Sequence, residues 1–101
     1  MDTMSVSVNP LPLPSPLSAS PGAWLNVEDM MAKYVRVKAG AACTIQIEGA
    51  LDDQTDPIAL GAATVNTSAW ISIPDTVKYI RANLTAYASG SPTAILAGKL
   101  G

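Results

Sequence analysis

Three aspartates fall close together in Asp52-Asp53-Gln54-Thr55-Asp56-Pro57. Carboxylate oxygens are the ligands a calcium ion takes. The run lacks EF-hand spacing, so it reads as a solvated polar loop, and no metal or cofactor is expected. The chain contains no histidine, the commonest general base and metal ligand. Gly-x-Ser-x-Gly does not occur, and Ser89-Gly90-Ser91 reads as a hairpin turn rather than a phosphate loop. No enzymatic activity is expected. Cys43 is the single cysteine, so no internal disulfide can form. Its alternation with Ile45 and Ile47 marks a buried structural thiol. Trp24 and Trp70 could stack on sugar rings, but their matching places at strand starts favour large core plugs. Arg36 and Arg81 recur with Asp29 and Asp75. The spacing suggests a repeated turn-to-strand ion pair, worth about 0.2–1 kcal/mol if exposed.

These residues recur because the chain states one motif twice. Residues 23–37 read Ala-Trp-Leu-Asn-Val-Glu-Asp-Met-Met-Ala-Lys-Tyr-Val-Arg-Val, and residues 69–82 read Ala-Trp-Ile-Ser-Ile-Pro-Asp-Thr-Val-Lys-Tyr-Ile-Arg-Ala. With one gap, Trp24/Trp70, Asp29/Asp75, Lys33/Lys78, Tyr34/Tyr79 and Arg36/Arg81 are identical. Leu25/Ile71, Val27/Ile73 and Val35/Ile80 keep the apolar type. Two copies are too few for a solenoid, so the expectation is one domain with two related halves.

Length allows one domain: 101 residues bury roughly 65% of the surface of the unfolded chain. Charged residues make up 14% of the chain and apolar ones 49%, against a usual charged share of about 25%. So little charge on a small domain suggests surface reserved for partners, copies of itself among them. A homo-oligomer is expected, a trimer before a dimer. The net charge is −2 and the six basic residues are scattered, which argues against nucleic acid. The opening Met-Asp-Thr-Met-Ser lacks the pattern of a secretory signal. No window resembles a membrane-spanning helix.

The elements that must position these residues read as β throughout. Residues 4–8 alternate weakly, as an edge strand does. Five of the eight prolines fall between residues 10 and 21, in Pro10-Leu11-Pro12-Leu13-Pro14-Ser15-Pro16-Leu17 and on to Pro21. Proline removes the N–H donor, so this stretch should be extended and stiff. Its alternating leucines display an apolar edge, which points to an arm packed along a neighbouring subunit or along its own sandwich. Leu11, Pro12, Leu13, Pro14 and Leu17 are the candidate partner-binding residues. Residues 1–22 are assigned to the arm and 23–101 to the folded domain.

Val35 and Val37 alternate with Tyr34, Arg36 and Lys38, and Cys43, Ile45 and Ile47 with Thr44, Gln46 and Glu48. Ala39-Gly40-Ala41-Ala42 joins the two as a hairpin. Ile58 to Val65 is a strand broken by Gly61. Trp70 to Ile73 ends at Pro74-Asp75. Lys78 to Tyr87 follows, and Ser89-Gly90-Ser91-Pro92 turns it into Thr93 to Leu100. Asp29 to Lys33 looks helical but is too short for a helix. The prediction is all-β: a single antiparallel sandwich or jelly-roll-like domain of seven to eight strands.

The second half, with Trp70-Ile71-Ser72-Ile73, Lys78-Tyr79-Ile80-Arg81-Ala82 and Thr85-Ala86-Tyr87-Ala88-Ser89-Gly90-Ser91-Pro92-Thr93-Ala94, resembles small virion proteins of tailed bacteriophages. The resemblance covers roughly residues 69–98. It implies a β-sandwich structural protein of the particle, closest in size to capsid decoration (cement) proteins. The implied partner is the major capsid protein. The implied location is the capsid surface, after synthesis in the host cytoplasm. Other virion positions (neck, tail or fibre attachment) and a carbohydrate-binding sandwich are the alternatives.

Overall fold

The computed structural model describes residues 5–40 and 42–100. Nine strands follow in chain order: β1 (Ser5–Pro10), β2 (Leu25–Asn26), β3 (Met30–Lys38), β4 (Cys43–Ala50), β5 (Ile58–Ala59), β6 (Thr64–Val65), β7 (Ser68–Ile73), β8 (Tyr79–Tyr87) and β9 (Thr93–Leu100). They form two antiparallel sheets, ordered β1-β9-β3-β7 and β2-β8-β4-β5, with β6 also on β4. The fold is the expected β-sandwich. Seven or eight strands become nine because the segment 58–65 turns at Gly61 and meets β4 twice, as β5 and then as β6.

Strict alternation makes the core. Val35 and Val37 of β3, Ile71 and Ile73 of β7, and Ala94 and Leu96 of β9 face inward from one sheet. Cys43, Ile45 and Ile47 of β4 and Ile80, Ala82 and Leu84 of β8 face them from the other. Each buried Ile, Leu or Val contributes about 1.5–3 kcal/mol relative to exposure. The Cys43 Sγ–H donates to the Ser89 carbonyl at 2.9 Å, which matches a structural thiol.

The repeated segments lie side by side. β2–β3 and β7–β8 each cross from one sheet to the other. Leu25 pairs with Ile80, while Ile71, its aligned counterpart, pairs with Val35. Asn26 pairs with Tyr79, and Ser72 with Tyr34.

β3 carries a bulge. Met31 opposes Lys99 and Tyr34 opposes Ala97, so Ala32 and Lys33 share one partner position. Ala32 takes a left-handed φ of 51° there. The extra residue turns Lys33 into the molecule, where it is 1% exposed. Gly98 makes the space, since a Cβ on it would lie 2.8 Å from Met30 Cε and 3.1 Å from Lys33 Cγ.

The proline-rich segment belongs to this sandwich. β1 pairs along β9, and Leu11 N–H donates to the Ala94 carbonyl at 2.8 Å. The chain then crosses to the other sheet, where Leu84 N–H donates to Ser20 O and Gly22 N–H to Ala82 O. Leu11 is 3% exposed within the core, and Leu13 and Leu17 pack against it. The sequence boundary at residue 22 therefore does not divide the packing. The reason is local: prolines have no donors to satisfy, so the stretch can cover the open side of a sandwich without a ladder of its own. Its two ends meet closely, because a Cβ on Gly22 would lie 2.0 Å from the Pro12 carbonyl oxygen. Only glycine fits that crossing.

Candidate functional site

The outer face of the β1-β9-β3-β7 sheet gathers the exposed Val6, Val8, Tyr34 and Trp70. Cross-strand register places Pro10, Ile95, Arg36 and Trp70 in one row, and Val8, Ala97, Tyr34 and Ser72 in the next. Val6 is 65% exposed, Val8 63% and Trp70 69%. Val8, Arg36, Trp70, Ile95 and Ala97 line a shallow hollow of about 220 Å³. No strand of this sheet carries an acidic residue. Arg36, Lys38 and Lys99 place basic groups around the apolar centre, with Lys33 turned inward.

Trp70 corrects the sequence reading, which made it a core plug. Ile71 and Ile73 point inward, so the period of two sends Trp70 and Ser72 outward. Trp24 is half-buried on the other sheet, with the Arg81 guanidinium 4.4 Å above its ring. That Arg81 Nε donates to Glu48 Oε1 at 2.7 Å, and Asn83 Nδ2 donates to Glu48 Oε2 at 3.2 Å. Tyr79 is half-buried at the end of the same strand.

The expected ion pairs are also replaced. Arg81 pairs with Glu48, its cross-strand neighbour in the β4–β8 ladder, because that residue stands closer than any turn acid. Arg36 faces the hollow beside its register partner Trp70, not Asp29. Asp75 meets the buried Lys33 at 3.5 Å, and Lys78 meets Glu28 at 3.7 Å. Lys33 Nζ also donates to the Met30 carbonyl at 2.9 Å.

The acidic loop is occupied with its own turn. Asp53 Oδ1 accepts from the Thr55 N–H at 2.9 Å and from the Thr55 hydroxyl. These bonds, the hydroxyl first, hold the Asp53 carboxyl below the ordinary carboxylate range. Among the described residues no three carboxylate, cysteine or histidine side chains are gathered to hold a metal. Nor is any helix among them long and apolar enough to cross a membrane.

Of the arm residues assigned to a partner, Leu11 is used inside the domain, and Leu13 and Leu17 lie largely against it. Pro12 is exposed and Pro14 half-buried. Val6, Val8 and Trp70 are exposed on the sheet face instead, while Leu51, Ile58 and Val65 are exposed beside the other sheet. Alternation could have found the first three: Val6 and Val8 alternate with serines, and Trp70 is out of phase with Ile71.

No family model matches the chain, and comparison with curated proteins and with solved structures finds no significant match.

Proposed function

We propose that the chain is a non-enzymatic structural protein of a virion, a decoration protein that docks on the outer shell and bridges subunits of the major capsid protein. The observation that carries this reading is the outer face of the β1-β9-β3-β7 sheet. It is apolar, free of acidic residues and centred on the Trp70 hollow. Aromatic and arginine side chains around an apolar centre are the composition of binding hot spots. The likeness of residues 69–98 to small phage virion proteins supports the assignment to a particle. The opposite sheet, with its Glu48–Arg81–Asn83 network and the acidic loop, would face solvent. The protein would be made in the host cytoplasm and end on the capsid surface.

Co-sedimentation with capsid shells tests this. Wild-type protein is expected to pellet with shells in many copies per particle, and Trp70→Ala to remain in solution while still folded. Stoichiometry of a single ring would move the protein to the neck or tail. Undiminished pelleting of the variant would remove this face from the interface.

One observation favours a second reading. The exposed Trp70 ring beside a hollow is also what a sugar-stacking platform offers. A saturable change in Trp70 fluorescence on titration with saccharides would establish it.

A further inference from the structure

β1 stands at the end of its sheet, with β9 on one side only. Its backbone phase is fixed by the Leu11 N–H to Ala94 O bond at 2.8 Å. Hydrogen-bonded and non-bonded pairs alternate along an antiparallel ladder. Ser7, Asn9 and Leu11 therefore turn their backbone groups to β9, whereas Val6 and Val8 turn theirs to the free side. Pro10 falls in the same outward phase, where its missing N–H takes nothing from the β9 ladder. The outward-turned Val6 and Val8 also have exposed side chains, at 65% and 63%.

We propose that β1 is a homodimerisation edge, with two copies pairing antiparallel about a twofold axis at Ser7. In that register Val6 of each copy lies opposite Val8 of the other. The outward N–H groups and carbonyls of Val6 and Val8 in each copy are then satisfied. The four valines form one apolar cluster on the outer face. The two sheets become one eight-stranded sheet, and the docking face doubles in width.

Charge and geometry select a second copy. β1 reads Ser-Val-Ser-Val-Asn-Pro, so pairing brings no like charges together on the new ladder. It also lacks the lysines, inward charges or bulges that usually protect a sheet edge, and its one edge proline, Pro10, stands beyond the Val6–Val8 pairs. The nearest basic residue on this face is Lys99, opposite Val6. In the dimer the two Lys99 side chains stand three strands apart, about 14 Å at ordinary spacing. That exceeds the screening length of about 8 Å at physiological salt. The other edge, β7, is less open, since the 60–67 connection runs beside it and Gly61 lies against the Ile71 side chain. A twofold edge is self-complementary and closes at two copies. The threefold assembly expected from the sequence would need two different surfaces to meet. The contact is small, below the roughly 1,200 Å² of stable interfaces, so the dimer is weak and concentration-dependent.

The proposal stands apart from the shell reading, because it is measured without shells. Sedimentation of the full chain between about 10 μM and about 1 mM is expected to show a growing dimer. Hydrogen exchange should show the Val6 and Val8 amides becoming protected as the dimer forms. Val8→Pro removes two of the four intermolecular donors and none of the β9 bonds, so it should weaken dimerisation by about tenfold or more with circular dichroism unchanged. If that variant does not fold, the pair Val6→Lys and Val8→Lys keeps every donor. It sets like charges side by side, and should weaken the dimer in a salt-dependent way. A monomer at every concentration would overturn the proposal. So would a dimer undiminished in a folded variant, one with exposed Val6 and Val8 amides, or protection that arises only on adding shells.

Discussion

Lys33 is held where few lysines are found. Its side chain is fully buried, and its ammonium meets the Met30 carbonyl and the exposed Asp75. Lys33→Ala leaves a cavity and an unpartnered carbonyl, so urea unfolding should show a loss of about 2–5 kcal/mol. Lys33→Met keeps the volume and should cost less, because it removes the buried charge along with its bond. Trp70→Ala should stay within about 0.5 kcal/mol of wild type, as surface changes do, not the 3–5 kcal/mol of an emptied core site. Asp53 makes a pH test. Its folded carboxyl is held low by Thr55, so its contribution is present above the unfolded value of about 3.9 and is lost as pH falls through the folded value. Acid titration of Asp53→Asn should therefore show a shallower loss of stability below about pH 4. The buried thiol of Cys43 was legible in its alternation with Ile45 and Ile47. The burial of Lys33 was not, because it depends on Ala32 taking a left-handed φ, which alanine seldom does.

At the scale of elements, the segment before residue 23 is part of the sandwich. The sequence assigned residues 1–22 to an arm outside the folded domain. Leu11 in the core and β1 along β9 lead to the opposite expectation. Deleting residues 1–21 should lower the melting temperature sharply, and Leu11→Ala alone should cost about 2–5 kcal/mol. Gly22→Ala should force the Pro12–Gly22 crossing apart and destabilise by a comparable route. The strands β3, β4, β8 and β9 were plain in the sequence, since alternation is a local signal. The hairpins expected between β3 and β4 and between β8 and β9 do not form: each pair is divided between the two sheets, so both connections cross the sandwich. Nor was the partner of β1 plain. It lies on β9, at the far end of the chain, and nothing in a Ser-Val-Ser-Val run names its neighbour. The leucines between prolines signalled a need for cover, but composition does not distinguish the chain's own core from another subunit.

Across the whole molecule, chemistry divides by sheet. One outer face is apolar with basic groups around it, and the other carries the Glu48–Arg81–Asn83 network. Attachment through the first should be apolar at its centre and electrostatic at its edge. Raising salt should slow association more than it speeds release, which stopped-flow mixing with shells would read. The pairing of Ser5 with Leu100 has a mechanical consequence. These residues lie at the same end of the β1–β9 ladder, so tension between them pulls along the hydrogen bonds and opens the pairs in succession. Handles at Ser5 and Ala94 would instead load all six pairs in shear. The molecule is thus directional under load: weak when unzipped from one end, resistant when drawn along its strands. Single-molecule pulling along the two axes should show the first rupture at the lower force, with β9 still seated on β3.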